Sequence, residues 1–312
     1  MLLVIVDMMT DADIQTILAD LASTDPHSQR QARKLISESG DMRFVQGLID
    51  LLHSVDGYLQ RECITLLGKI GNDQAVPILT DLLHQQPMDD ELQEDVIIAL
   101  GRIGDDRAEL PLLSLANSKN EYIRQRIAKA LGSFASDQSI QALSLLLDDE
   151  NNDVRANAAQ ALGDIGNPTV IPILDNALDD SVWTVRKQAV TALAQFNDDA
   201  IVEPMMYALE DIRSQIRIIA AEKLGDMGTP LAYEPLLQAR HPFRRDVNTA
   251  IDTALAKLDG KYIRDPDMDI SLLIDLLPIH HKPEVIAQTL ETIGTPDALA
   301  AVDAWRTQHP SQ

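Results

Sequence analysis

Four basic side chains, Lys69, Arg102, Arg126 and Lys129, stand near two tyrosines, Tyr58 and Tyr122, in a chain that is otherwise acidic. Its 312 residues carry 49 Asp and Glu against 26 Lys and Arg, a formal charge of −23. A cluster of opposite sign is therefore the least expected local composition. The chemistry such a group offers is recognition: cations that hold the carboxylates of an acidic partner segment or small ligand, with tyrosine faces and hydroxyls as anchors. The same residues also admit a purely structural use, pairing with Glu62, Glu91 and Asp95 on neighbouring helices. Both readings stand on the sequence.

Other reactive constellations are sparse. Arg124, Arg155, Arg186 and Arg217 recur every 31 residues, a column that either binds an anion or, more often, ties each turn to the acidic turn of its neighbour. The seven histidines, at 27, 53, 84, 241, 280, 281 and 309, lack a two-histidine helical spacing. His53 and His84 hold equivalent positions, but two weak ligands do not make a metal centre. A single cysteine, Cys63, excludes an intramolecular disulfide and an all-cysteine metal site and reads as structural. There is no glycine-rich phosphate loop and no G-x-S-x-G elbow. No metal, cofactor or catalytic residue is expected.

Composition narrows the partners. The acidic field opposes a phosphate backbone, which argues against nucleic acid. The apolar start, Met1 to Val6, lacks the basic lead-in and length of a signal peptide. No span approaches the ~20 apolar residues of a membrane helix, so the expectation is a soluble, cytoplasmic protein with no membrane partner.

The elements that must position these residues are set by an internal repeat. In Val154-Arg155-Ala156-Asn157-Ala158-Ala159-Gln160-Ala161-Leu162-Gly163-Asp164-Ile165-Gly166, the apolar residues Val154, Ala158, Ala161, Leu162 and Ile165 fall at the 3-and-4 spacing of a helix with one apolar stripe. Positions equivalent to Leu162 are Ile36, Leu67, Leu100, Leu131, Leu193, Leu224, Leu255 and Leu290, with gaps of 31, 33, 31, 31, 31, 31, 31 and 35. Gly166 is expected to end the helix in the left-handed conformation. A second helix follows, Val170 to Leu178, and each unit is two antiparallel helices. Gly163, with Gly68, Gly101, Gly132 and Gly225, lies inside its helix at a cost of about 1 kcal/mol against alanine. Recurrence in one register predicts that close helix contact offsets that cost. Proline recurs at 77, 111, 172, 204 and 235, early enough in the second helix to start or kink it. One such unit buries too little to fold alone, so the units must stack.

These motifs carry a resemblance. The V-R-x-x-A-A-x-A-L-G-x-I-G helix, with a P-x-L-x-x-x-L-x-D helix beside it, resembles the short HEAT-like repeats of phycobilisome lyases and their relatives. The resemblance spans residues 11 to 308. It implies an all-α, right-handed α-solenoid of about nine repeats of ~31 residues, a quasi-one-dimensional stack, with a capping helix at the C-terminus. The expected layout is an N-terminal extension, 1–10, then repeats at 11–40, 41–71, 72–104, 105–135, 136–166, 167–197, 198–228, 229–259 and 260–294, and a cap at 295–308. Residues 260–269 are the longest break in the pattern and read as a hinge or projecting loop. In solenoids of this kind the glycine-ended helix lines the concave surface. Positions nine, five and two before the landmark and two after then face outward, which selects Tyr58, Lys69, Arg102, Tyr122, Arg126 and Lys129.

The function expected is a non-catalytic scaffold, adaptor or assembly factor that binds another protein on its concave face. By resemblance alone, an alternative is a bilin lyase or isomerase, in which the basic cluster holds the propionates of a linear tetrapyrrole and the tyrosines lie against its rings. The resemblance likewise suggests a phycobiliprotein or an iron–sulfur assembly protein as partner. Deoxyhypusine hydroxylase, an iron enzyme on related repeats, holds its metal with His-Glu dipeptides, and none occurs here.

Overall fold

The structure, a computed structural model, describes residues 9–53, 57–85, 88–240, 244–264, 274, 277–278 and 283–308. Among these residues there are eighteen α-helices and no strand. The chain divides into two compact units between Asn167 and Pro168, and each is described by itself.

Unit one contains α1 (Asp11–Leu21), α2 (Pro26–Ser39), α3 (Phe44–Leu52), α4 (Gly57–Ile70), α5 (Val76–His84), α6 (Asp90–Ile103), α7 (Glu109–Leu113), α8 (Glu121–Leu131), α9 (Asp137–Leu146) and α10 (Asn152–Ile165). Even-numbered helices are the glycine-motif helices. Each packs on the odd-numbered helix before it and on the next even-numbered helix, so that α2, α4, α6, α8 and α10 form one continuous row. The repeat landmarks Ile36, Leu67, Leu100, Leu131 and Leu162 are all fully buried.

Unit two contains α11 (Ile171–Asn176), α12 (Trp183–Leu193), α13 (Val202–Ala208), α14 (Ser214–Met227), α15 (Tyr233–Gln238), α16 (Arg245–Arg264), α17 (Pro283–Ile293) and α18 (Pro296–Gln308). Here α12, α14 and α16 pack in succession, and α17 pairs with α18. Leu193, Leu224, Leu255 and Leu290 fill the same buried position.

Local sequence explains where the helices start and stop. Short 3-10 turns such as Asp73–Ala75 and Pro168–Val170 lead into α5 and α11, and Pro77 and Pro172 sit in the first turn, where a missing N–H costs nothing. The recurring proline therefore starts its helix without kinking it. At the other end, Gly104 and Gly166 close α6 and α10 with φ of 67° and 68°, a conformation costly for a residue with a Cβ. Two of the repeats that lack that glycine end their helices sooner, whereas α16, with Asp259 at that position in the sequence, runs on to Arg264. α8 and α12 stop at the landmarks Leu131 and Leu193, and Phe134 and Phe196 turn into the core just beyond them.

The recurring glycine has its predicted close contact, although Gly132 caps the end of α8 and does not lie inside it. A Cβ on Gly68 would lie 2.7 Å from Ala99 Cα, one on Gly101 2.7 Å from Ala130 Cβ, and one on Gly132 3.0 Å from Ala161 Cβ. In unit two, Gly225 stands against Ala254 at 2.6 Å in the same way. Each alanine directly precedes the landmark of the next repeat. Gly101→Ala should thus reverse the usual helix-propensity gain of about 1 kcal/mol and destabilise by about 1 to 3 kcal/mol through overpacking. Urea unfolding checks this, and a stabilised variant would refute the close approach.

The break expected at 260–269 is helical through Arg264, because α16 continues past Gly260. Residues 265–269 lie outside the described residues, as do most of the N-terminal extension (1–8), the Gln86-Pro87 turn and the 309–312 tail. Thr295 Oγ1 accepts from the Ala298 amide at 3.4 Å at the start of α18, and Trp305 is buried on that helix.

Candidate functional site

The charged residues of unit one form a ladder along the even-numbered helices. Arg33 Nε on α2 lies 2.5 Å from Glu62 Oε1 on α4, an ion pair poorly aligned for a hydrogen bond. Arg61 on α4 donates to Asp95 Oδ2 on α6 at 2.6 Å and also pairs with Glu91. Arg126 Nε on α8 donates to Glu94 Oε2 on α6 at 2.9 Å. The acids Glu62, Glu91 and Asp95 are thus engaged, but by Arg33 and Arg61 rather than by the candidate cluster.

The candidates themselves separate into groups. Arg102, Arg126 and Lys129 come together around an open cleft of about 430 Å³, with Ile98 and Ser133 on its walls. Of the three cations only Arg126 has an acid partner among the described residues. Lys69 is exposed in the last turn of α4 and does not line that cleft. Tyr122, exposed at the start of α8, is also outside it. Tyr58 belongs to a different cleft, of about 670 Å³, walled by Arg61, Glu62 and Asp95, and its hydroxyl accepts from Arg33 Nη2 at 3.1 Å. One cation subsite is assembled; the expected tyrosine anchors are not part of it.

Lys69, Arg102 and Lys129 each lie in the last turn of a helix, where a positive charge is favoured by the helix dipole by about 0.3 to 1 kcal/mol. That accounts for their tolerance at these positions without using up their capacity to bind an anion. The counting scheme missed Arg61 and Glu94, both six residues before their landmarks. Arg61 is followed by Glu62 and Glu94 by Asp95, so a charged pair stands at the same register in two successive repeats, and that recurrence was the available signal.

The arginine column is largely structural. Arg124 sends Nε and Nη2 to Asp149 at 2.6 and 2.9 Å and Nη1 to Ser118 O at 2.9 Å. Arg186 repeats this in unit two with Asp211 at 2.6 and 3.1 Å and Asp180 O at 2.8 Å. Arg155 donates to Asp149 O at 2.8 Å. Arg217 keeps the carbonyl bond, to Asp211 O.

Cys63 is buried on α4, and burial, with a smaller contribution from the Glu62 charge, pushes its thiol up to about 12. It stays protonated at neutral pH and is no nucleophile. His53 and His84 are exposed, the latter with Nδ1 2.8 Å from Thr80 O. Among the described residues no group of three or more His, Cys, Asp or Glu side chains is arranged to hold a metal ion. No described helix is long and apolar enough to cross a membrane.

A row of helical hairpins, with charged side chains laddered along one set of helices, defines the class as an all-α repeat protein. Within that class the chain belongs to the HEAT-repeat family, whose model matches residues 14–100, 45–118, 109–189 and 175–256. No curated protein matches the chain in sequence. Among solved structures, the Escherichia coli protein YibA is 19% identical with a TM-score of 0.51, over 81% of this chain and 94% of its own. An engineered protein is 22% identical with a TM-score of 0.47, over 95% and 92%. The CpcE–CpcF complex of phycocyanin lyase from Nostoc sp. PCC7120 is 21% identical with a TM-score of 0.44, over 80% and 94%. Identities this low speak to the fold alone, so the narrower likeness to phycobilisome lyases stays distant.

Proposed function

We propose that this protein is a non-catalytic interaction scaffold, and that unit one docks an acidic segment of a partner protein on the cleft of Arg102, Arg126 and Lys129. The observation that carries this reading is the imbalance within the ladder. In a chain of charge −23, nearby acids are drawn into pairs with Arg33, Arg61 and Arg126, while Arg102 and Lys129 face the same cleft with no acid partner among the described residues. HEAT repeats in general present extended surfaces to protein partners, which fits this use. The pigment-handling alternative needs both tyrosines beside the cations, and the separate placement of Tyr58 does not favour it.

A labelled octaglutamate peptide, read by fluorescence anisotropy against an octaglutamine control, tests the proposal. Binding should depend on the carboxylates and weaken with salt, since exposed charges are screened over about 10 Å at 0.1 M ionic strength. Arg102→Glu with Lys129→Glu should weaken it tenfold or more, about 1.4 kcal/mol, and lower stability by about 1 to 3 kcal/mol, because each change sets a carboxylate at a helix C-terminus; binding is therefore compared on variants shown by circular dichroism to be folded. Arg126 is left intact, because Arg126→Glu would set a carboxylate against Glu94. Equal binding of both peptides, or unchanged binding by the double variant, would contradict the assignment.

A further inference from the structure

In unit two, Arg217 stands in the first turn of α14 at the register position of Arg124 and Arg186. All three arginines donate Nη1 to the carbonyl six residues back, which leaves Nε and Nη2 as a fork. In Arg124 and Arg186 that fork holds the carboxylate 25 residues further on, Asp149 and Asp211. For Arg217 the same count reaches Pro242, which has no carboxylate to offer.

Arg217 is only 6% exposed, and among the described residues no acid is within ion-pairing distance of it; Asp211 and Asp246 act on it at longer range. It lines an open cleft of about 850 Å³ together with Arg244, Gln238, Met206, Leu209 and Pro235. Arg244 also has no acid partner among the described residues. It precedes α16, accepting from the Asn248 amide at 3.0 Å, where its charge opposes the helix dipole. Burial first, and then the charge of Arg244, lower the Arg217 pKa. An arginine fork shaped for a carboxylate is thus buried beside a second cation with no acid paired to either among the described residues, an arrangement a bound anion relieves.

We propose that the cleft of Arg217 and Arg244 binds one carboxylate carried by a peptide segment of a partner, gripped by Arg217 Nε and Nη2 as the equivalent atoms of Arg124 and Arg186 grip aspartate. Such a two-bond fork is the geometry arginine uses for carboxylates. Met206, Leu209 and Pro235 suit an apolar residue next to the acid. Glu203 and Glu210 also line the cleft and oppose a second negative charge, so the site selects a lone carboxylate over a phosphate dianion or a polyacidic run. This site lies in a different unit from the Arg102 cleft and does not depend on it.

The test is isothermal titration of the full chain with four probes: Ac-Leu-Asp-Leu-amide, its asparagine analogue, Ac-Leu-Leu with a free C-terminal carboxylate, and inorganic phosphate. Binding of either carboxylate peptide is expected, and the tighter of the two identifies a side-chain or a terminal source. The asparagine analogue, phosphate, and the Arg217→Met variant should each bind about tenfold more weakly or worse, as expected for loss of a charge-assisted pair. If Arg217→Met does not fold, Arg244→Met carries the same expectation. Absence of binding by the wild-type chain, equal binding by the folded variants, or phosphate binding more tightly than both carboxylate peptides would overturn the proposal.

Discussion

Replacing Asp149 by alanine is expected to destabilise unit one by about 3 to 5 kcal/mol, the range for stranding one member of a buried ion pair. The side chains of Arg124 and Asp149 are 10% and 8% exposed. Losing Asp149 leaves the Nε and Nη2 donors of Arg124 without their acceptor, and it also removes the acceptor of the Asn151 amide at 2.8 Å. Replacing the pair together by Arg124→Met with Asp149→Leu should cost less than Asp149→Ala alone, because no charge is then stranded. The pair also sets a pH dependence. Burial acts to raise the Asp149 pKa, but hydrogen bonds from Arg124 and the Asn151 amide outweigh it and hold the carboxyl below its ordinary value. Asp211 in unit two is held down in the same way, burial being outweighed by Arg186 and the Arg213 amide. For groups with lowered folded pKa values, the stabilisation is complete above the ordinary carboxylate value of about 3.9 and is lost as the pH falls through the lower folded value. Urea unfolding at pH 7, 5 and 3 should therefore show stability lost at the acid end, with a shallower dependence in Asp149→Ala. The same slope in wild type and variant would show that the pair is not the titrating element.

Leu162→Ala should cost about 2 to 5 kcal/mol, the range for a leucine removed from a packed core. Leu162 is fully buried on α10, as are the equivalent residues on the preceding even-numbered helices of unit one. α10 packs on α9 within its hairpin and on α8 of the preceding repeat, so the loss is felt beyond one repeat. Chemical denaturation followed by circular dichroism checks this, and a change below half a kcal/mol would undo the placement of the landmark in the core.

Much of this architecture was legible because it is periodic. One register of leucines, one glycine pressed against an alanine of the following repeat and one proline at a helix start recur often enough to override any single residue's ambiguity. The charged surface was less legible, because its logic lies between repeats. Counting from the landmark grouped Tyr58 with Arg102, Arg126 and Lys129, whereas the three cations line one cleft and Tyr58 another. Tyr58 lies two repeats earlier than Lys129, nine residues before its landmark, near the beginning of α4, whereas Lys129 is near the end of α8. Two residues on one helical face are not thereby at one height along it. Arg33 and Arg61 escaped selection because they stand three and six residues before their landmarks, positions outside the count, and their acid partners lie on the next even-numbered helix. α16 shows the reverse case: Gly260 suggested a break, but the helix is continuous through Arg264.

The most direct test of the scaffold assignment is to map where an acidic segment lands. An octaglutamate peptide bearing a photoreactive group at its N-terminus would be cross-linked to the full chain and the attachment sites located by mass spectrometry. Docking on unit one predicts cross-links concentrated in residues 98–103 and 126–133, and their loss in Arg102→Glu with Lys129→Glu. Cross-links at the Tyr58 cleft, at Arg217 and Arg244, or scattered without preference would contradict it.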